Sequence, residues 1–306
     1  MPAIDEQTIT SVVLDQMSST LDPRLREIME CLVRHLHAFA QEADLTPEEW
    51  LEGIKFLTAV GQACTPYRQE FILLSDTLGL SSLINTLHDQ RSREAGTKTS
   101  LLGPFYRQGA PTKRLGESIA SPGDGSEICI YGRVTDLAGR PIPNASIEIW
   151  QSDDHGLYDL QKHDPSHMDL RGCFYADSEG EYYLRTVRPL GYLIPLDGPV
   201  GDLIRAQRRH GYRPAHIHFL VGAPHYRELV TALYLGNDEH IDSDTVFGVS
   251  DSLITETVAH DPDSPFPDLP SIHFDFRLGA AAAHEESGRV GADPSQIVKR
   301  LALVAH

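Results

Sequence analysis

The stretch HGYRPAHIHF, residues 210–219, holds the chemistry of this chain in its most compact form. In an extended strand successive side chains point to opposite faces, so His216 and His218 share a face while Ile217 enters the other layer. Two imidazoles on one face of a rigid strand are half of a metal site. Taken alone, the pair also suits an ordinary half-exposed strand. Two tyrosines in upstream turns favour the metal: Tyr158 in GLYDLQ, just past Trp150-Gln151, and Tyr192 in RPLGYLIP. A lone loop tyrosine is an amphipathic surface filler. Two of them beside a His-x-His strand suggest phenolate ligands. A phenol titrates near ~10, so only a strong Lewis acid holds it ionised at neutral pH. Anionic oxygen with imidazole suits ferric iron better than zinc.

Such a site needs strands and turns to hold it, and the second part of the chain supplies them. Short strands are expected at Ile128–Thr135, Ala145–Gln151, Phe174–Ala176, Tyr182–Val187, His216–Gly222, Leu229–Leu235 and Ser271–Leu278, divided by turns such as Asp136-Leu137-Ala138-Gly139 and Asp177-Ser178-Glu179-Gly180. Many short strands with long loops indicate a β-sandwich. Residues 97–127 are rich in Gly, Pro, Ser and Thr without a helical period and read as a long irregular connector. The tail 279–296 reads as a surface excursion.

The first 90 or so residues read as helices. Asp22-Pro23 provides an N-cap and a proline at the first helical position, and apolar residues then recur from Leu25 through Ile28, Leu32, Leu36 and Phe39. Thr46-Pro47-Glu48-Glu49 is a capping box opening a helix with Trp50, Leu51, Ile54, Leu57 and Val60. A third segment runs from Tyr67 to Thr77 and a short fourth from Leu83 to Leu87. Their apolar faces are broad and have little of their own to bury against. The fold class is therefore mixed, with a helical dimerisation or linker region over residues 1–100 and a β-sandwich catalytic domain over 101–306.

The 306 residues carry a formal charge of −18, which argues against a general nucleic-acid binder. No apolar run is long enough to span a bilayer, and the first residues have neither the basic nor the apolar region of a leader. Cys31, Cys64, Cys129 and Cys173 lie far apart and form no CxxC, so a reducing cytoplasm is the expected location.

The chain resembles the intradiol aromatic-ring dioxygenases, non-haem ferric enzymes that bind iron through two tyrosines and two histidines. The resemblance runs through LLGPFYRQGAP, GRVTDLAGRPIPNASIEIWQSDDHGLYDLQ, LRGCFYADSEGEYYLRTVRPLGYLIP and RPAHIHFLV. It implies Fe(3+) held by Tyr158, Tyr192, His216 and His218, with an aromatic diol or triol and O2 as substrates. It also implies a homodimer built on the N-terminal helices, with lipid-like molecules between them. Ferric iron with two tyrosinates and a hydroxide sums to neutral. A catecholate can replace one tyrosinate and the hydroxide, each leaving with one of the diol protons, so no separate base is needed. In the family the tyrosine that leaves corresponds to Tyr192, and Arg213 corresponds to the arginine that steadies negative charge on the substrate. Ala232 departs from the pattern, since relatives often carry a polar residue there.

Among these enzymes the chain looks most like hydroxyquinol 1,2-dioxygenases, through FILLSDTLG (71–79), LLGPF (101–105), Ile194-Pro195 and HIDSDTVFG (240–248). Leu73 and Asp76 are three apart and share a helix face. The resemblance implies that they line the ring pocket with Leu102, Gly103, Pro104, Phe105, Ile194, Pro195 and Arg213. A carboxylate there would accept a hydrogen bond from a third hydroxyl, which 1,2,4-trihydroxybenzene has and catechol lacks. Two other readings stay open: a catechol or substituted-catechol 1,2-dioxygenase on the same scaffold, and a transthyretin-like carrier module, which GRVTDLAGRPIPNASIEIW also resembles but which has no use for the four metal-binding groups.

Overall fold

The computed structural model describes residues 4–65, 68–92, 96–121, 125–162 and 167–281, the side chains of 91 and 92 excepted. Tyr67 and most of the 279–296 tail lie outside them. The chain falls into two compact units, one of residues up to Thr58 and one from Ala59 onward.

The first unit is helical. α1 spans Ile9–Gln16, α2 Pro23–Glu42, and α3, Pro47–Ala63, begins in it. Both expected start signals operate: Asp22 Oδ1 accepts the amides of Arg24 at 2.7 Å and Leu25 at 3.1 Å. Thr46 and Glu49 exchange side-chain-to-backbone bonds at 3.2 and 3.0 Å. α1 lies on α2, with Thr10 Oγ1 2.9 Å from His37 Nδ1. Ile28, Leu32, Leu36 and Phe39 of α2 and Trp50, Leu51, Ile54 and Leu57 of α3 remain exposed.

In the second unit two helices, α4 (Glu70–Thr77) and α5 (Leu80–Ser92), precede the sheets. β1 (Glu127–Asp136) is long enough to pair antiparallel with β4 (Glu181–Val187) on one side. On the other it pairs in parallel with β10 (Ser271–His273) and then β11 (Phe276–Leu278). The expected single strand Ser271–Leu278 is broken because Asp275 Oδ1 takes the Arg133 amide at 2.8 Å, and a Cβ on Gly132 would meet the Phe274 carbonyl oxygen at 1.9 Å. The second sheet has the order β3 (Arg171–Tyr175), β2 (Ser146–Gln151), β7 (His216–Gly222), β8 (Leu229–Leu235), β9 (Ile254–Thr255). β5 (Tyr192–Leu193) and β6 (Tyr212–Arg213) form a separate two-stranded ladder, and α6 (Pro199–Ala206), which was not anticipated, lies between them in the chain.

The core fills the space between the sheets. Ile128, Ile130 and Val134 of β1 and Leu184 of β4 meet Ile147, Ile149, Ile217, Phe219, Val221 and Leu233 of the second sheet. The connector 97–127 does more than link: it hydrogen-bonds to β3 through Lys113 N–H and the Cys173 carbonyl, and to β4 through Ile119 N–H and the Arg185 carbonyl. It thereby covers two strand edges that would otherwise be open.

Candidate metal centre

Alternation along β7 sends Ile217, Phe219 and Val221 into the core, and His216 and His218 out of the opposite face. Both histidines are nevertheless buried. Across the ladder, His218 faces Trp150 on β2 and Ala232 on β8, and His216 faces Tyr234. The Trp150 and His218 rings stack at 4.9 Å with 2° between their planes, which sets the orientation of the imidazole.

His216 Nδ1 donates to the Pro214 carbonyl at 2.7 Å, leaving a lone pair on Nε2 directed inward. His218 Nε2 lies 3.1 Å from it and Tyr158 Oη 3.3 Å. Arg213 Nη1 stands between His216 Nε2 at 3.1 Å and Tyr192 Oη at 3.5 Å, and the two phenol rings meet edge-on at 5.4 Å. The structure thus brings together all four residues singled out as metal ligands, and Arg213 with them.

Each tyrosine is fixed by its turn. Asp153 Oδ1 accepts the His155 and Leu157 amides, both at 2.9 Å, and Tyr158 N–H donates to Gln161 Oε1 at 2.9 Å. The following Asp159 is buried against Arg171, whose Nε donates to it at 2.6 Å while Nη2 makes a second bond. Tyr192 pairs with Arg213 across the β5–β6 ladder. Gly156 joins the two turns: its φ is +77°, and a Cβ there would lie 2.9 Å from Tyr192 Cβ.

Burial, with the Arg213 charge beside it, holds the His216 pKa well below the usual imidazole value; burial and His216 do the same for His218. Burial and the nearby Tyr192 push the Tyr158 phenol well above 10. Burial also raises Tyr192, against the opposing pull of Arg213. Each of these shifts favours the neutral form of its group. Two phenol oxygens and two imidazole nitrogens in a buried cluster without a carboxylate suit a hard trivalent cation, whose charge would offset desolvation of the phenolates. The His218 ring presents Nε2 to the cluster, and the Leu101 backbone lies beside the ring on its other side. Among the described residues no group of three or more His, Cys, Asp or Glu is arranged to hold a metal.

The expected ring-pocket residues are placed unequally. Phe105 stacks on Tyr158 at 4.4 Å, and a Cβ on Gly103 (φ +73°) would meet His218 Cε1 at 3.4 Å. Asp76 is buried and interacts electrostatically with Arg213. Leu73 is buried on α4, Leu102 and Pro104 flank Gly103, and Ile194 and Pro195 follow Tyr192. None of these five makes a hydrogen bond or ring contact with the four-residue cluster.

Several supporting residues escaped the sequence reading. Asp244 grips Arg213 with both oxygens, 3.1 Å to Nε and 3.2 Å to Nη2, and Tyr234 Oη accepts from Nη2 at 3.3 Å. Ser100 Oγ lies 2.9 Å from Tyr234 Oη. Asp244 belongs to the HIDSDTVFG motif but carried no separate signal, and the register that sets Tyr234 opposite His216 cannot be read from one strand. Ala232 is buried against Tyr234 and Leu253, so polar support in this corner comes from Tyr234 two residues on.

Residues 101–280 match a family model described as dioxygenase, and residues 22–96 one described as catechol dioxygenase N terminus. The chain is 44% identical to 6-chlorohydroxyquinol 1,2-dioxygenase of Cupriavidus pinatubonensis over 84% of its length and 93% of that protein's. It is 42% identical to hydroxyquinol 1,2-dioxygenase of a Rhizobium species over 82% of its length and 85% of the relative's. The solved structure of hydroxyquinol 1,2-dioxygenase from Pseudomonas putida superposes with a TM-score of 0.80 at 43% identity, covering 90% of this chain and 99% of that one. Catechol 1,2-dioxygenase from Acinetobacter radioresistens superposes at 0.79 with 28% identity, covering 95% and 98%. With a family model matching more than half of its length and relatives above 40% identity across most of it, this chain belongs to the intradiol ring-cleavage dioxygenase family.

Proposed function

We propose that the chain is a hydroxyquinol 1,2-dioxygenase, cleaving 1,2,4-trihydroxybenzene between its adjacent hydroxyls with O2 to give 3-hydroxy-cis,cis-muconate, the enol form of maleylacetate. The observation that carries the substrate reading is a buried carboxylate, Asp76, within electrostatic reach of Arg213. The names of the relatives support it. A third ring hydroxyl has a partner in Asp76; catechol leaves that carboxylate with only the partners it has in the free protein, Ser81 among them.

In this reading Tyr158, Tyr192, His216 and His218 hold ferric iron, which when bound would take the two adjacent ring oxygens and activate the ring toward O2. By the family resemblance Tyr192 would be the group that gives up its place and takes one substrate proton. Arg213 Nη1, 3.5 Å from its oxygen, would steady the charge that replaces it, and Tyr158, held by the turn before Asp159, would stay. Arg213, held by Asp244 and Tyr234, steadies negative charge on the ring oxygens. Phe105 and Trp150 keep the tyrosine and histidine rings in place and exclude water.

The remaining parts of the proposal concern organisation. Residues 1–100 form a helical dimerisation and linker region and 101–306 the catalytic sandwich. The broad apolar faces of α2 and α3 support a homodimer, with lipid-like molecules able to fill gaps between them. Among the described residues no helix is long and apolar enough to cross a membrane, and four free cysteines suit the cytoplasm.

The test is oxygen uptake by the purified, iron-loaded protein on hydroxyquinol, catechol, a chlorocatechol and pyrogallol. Hydroxyquinol should give the highest kcat/KM, and the protein should be burgundy from tyrosinate-to-iron charge transfer. A preference for catechol would defeat the substrate assignment and leave the ring-cleavage class intact.

A further inference from the structure

α4, which carries Leu73 and Asp76, is fastened at both ends by a single stretch of chain, the α6 segment and the turn after it. At its first turn the buried Glu70 accepts the Val200 amide at 3.2 Å through Oε1, and its other oxygen takes Arg68 Nε at 2.8 Å. At its last turn Arg209 Nη1 donates to the Thr77 carbonyl at 2.8 Å, and Nη2 donates to the Thr245 carbonyl at 2.6 Å. One guanidinium therefore bridges two backbone segments far apart in sequence.

Both segments border the site. Thr77 directly follows Asp76, and Thr245 directly follows Asp244, which aligns Arg213. The side chain of Arg209 lies over the Phe247 ring at 5.2 Å, and its hydrogen bonds go to backbone carbonyls and to Gln207 rather than to a carboxylate. Arg208 before it occupies the left-handed region at φ 55°, which a non-glycine residue adopts only where its surroundings require it. That turn ends α6 and sends Arg209 back toward α4. A planar fork with several donors suits two divergent carbonyls, which a single ammonium cannot both reach in the same geometry.

We propose that Arg209 is a positioning residue for substrate choice: by tying Thr77 to Thr245 it sets the separation of Asp76 from Arg213, and with it the fit of the third ring hydroxyl. The inference rests on the hydroxyquinol reading above and names a residue outside the metal cluster and the ring pocket through which that reading is enforced. Arg209 acts through α4 and touches no reacting atom.

The experiment compares wild type, R209M and R209K as iron-loaded proteins. R209M should keep the iron content and visible band of wild type and turn over catechol within about two-fold. It should lose roughly ten-fold in kcat/KM on hydroxyquinol, mostly through KM, as expected for a displaced charged hydrogen bond. R209K, able to serve one carbonyl, should fall between. Amide exchange should quicken over residues 71–78 in R209M and stay unchanged in β7, a readout independent of any substrate. A wild-type protein without preference for hydroxyquinol refutes the substrate reading before any variant is made. The positioning role is overturned separately, by R209M matching wild type in substrate ratio or in α4 exchange, or by equal losses on both substrates. Should R209M not accumulate, R209K against wild type decides by the same two measurements.

Discussion

His218 forms one wall of the candidate centre, with Trp150 stacked on one side and His216 and Tyr158 beside it. His218→Ala should remove most of the bound iron and the visible charge-transfer band, read by metal analysis and absorbance; full colour in this variant would put the metal elsewhere. Asp76 decides the substrate. Removing one charged hydrogen bond costs roughly 1.5–3 kcal/mol, so Asp76→Ala should lower hydroxyquinol kcat/KM by about ten- to a hundred-fold and leave catechol no worse. The same carboxyl has a pH signature. Burial raises its pKa from 3.8 to about 6 in the folded protein, with Ser81 and Arg213 opposing the shift. The folded state thus binds the proton more tightly than the unfolded chain, and that stabilisation, full below pH ~4, is lost as pH rises through about 6. The loss amounts to roughly 3 kcal/mol. Asp76→Asn should therefore match wild type in urea unfolding at pH 4 and exceed it at pH 8; a constant difference across that range would mean the group does not titrate as described.

At the scale of elements, the site is built on the outer face of β2, β7 and β8 and completed by turns that carry the tyrosines. The turn at Tyr158 relies on the Asp159–Arg171 pair, in which both side chains are buried. Breaking a buried pair by removing one partner typically costs about 3–5 kcal/mol, because the other charge is left uncompensated. Here Arg107 Nη1, 3.7 Å from Asp159 Oδ2, would compensate part of it and bring the cost toward the lower end. Arg171→Met should show a loss of that order in chemical denaturation, and should also weaken iron retention, since Tyr158 adjoins Asp159. Pairing it with Asp159→Leu should recover much of the stability. If the double variant is as unstable as the single one, packing rather than charge holds the turn.

For the molecule as a whole, the apolar faces of α2 and α3 are the main unsatisfied surface of the first unit; Leu36 is 53% exposed, Phe39 57% and Trp50 59%. Exposed apolar helix faces of this breadth are uncommon on soluble monomers and are covered in symmetric assemblies. Sedimentation at micromolar concentration should find a dimer, and Leu32→Glu with Leu36→Glu should shift it to monomer while leaving the visible band of each chain in place. A wild-type monomer would remove the dimer from the proposal.

Much of this was legible in the residues alone, where one local rule sufficed. Period two assigned His216 and His218 to one face and Ile217 to the other, and the capping residues Asp22 and Thr46 marked the starts of α2 and α3. Chemistry of residue type suggests ferric iron, because paired phenols and imidazoles serve few other ions, an expectation that metal analysis of the purified protein checks. Partners across the chain were not legible. Asp244 reaches Arg213, Tyr234 faces His216 and Arg209 joins Thr77 to Thr245 only because ladder register and loop path bring them together. The split at Asp275 and the edge-covering path of the connector have the same origin. Local patterns decide which face a side chain takes, since dihedral geometry acts over a few residues. Which groups meet on that face is a long-range property, decided when the two sheets close on their shared core.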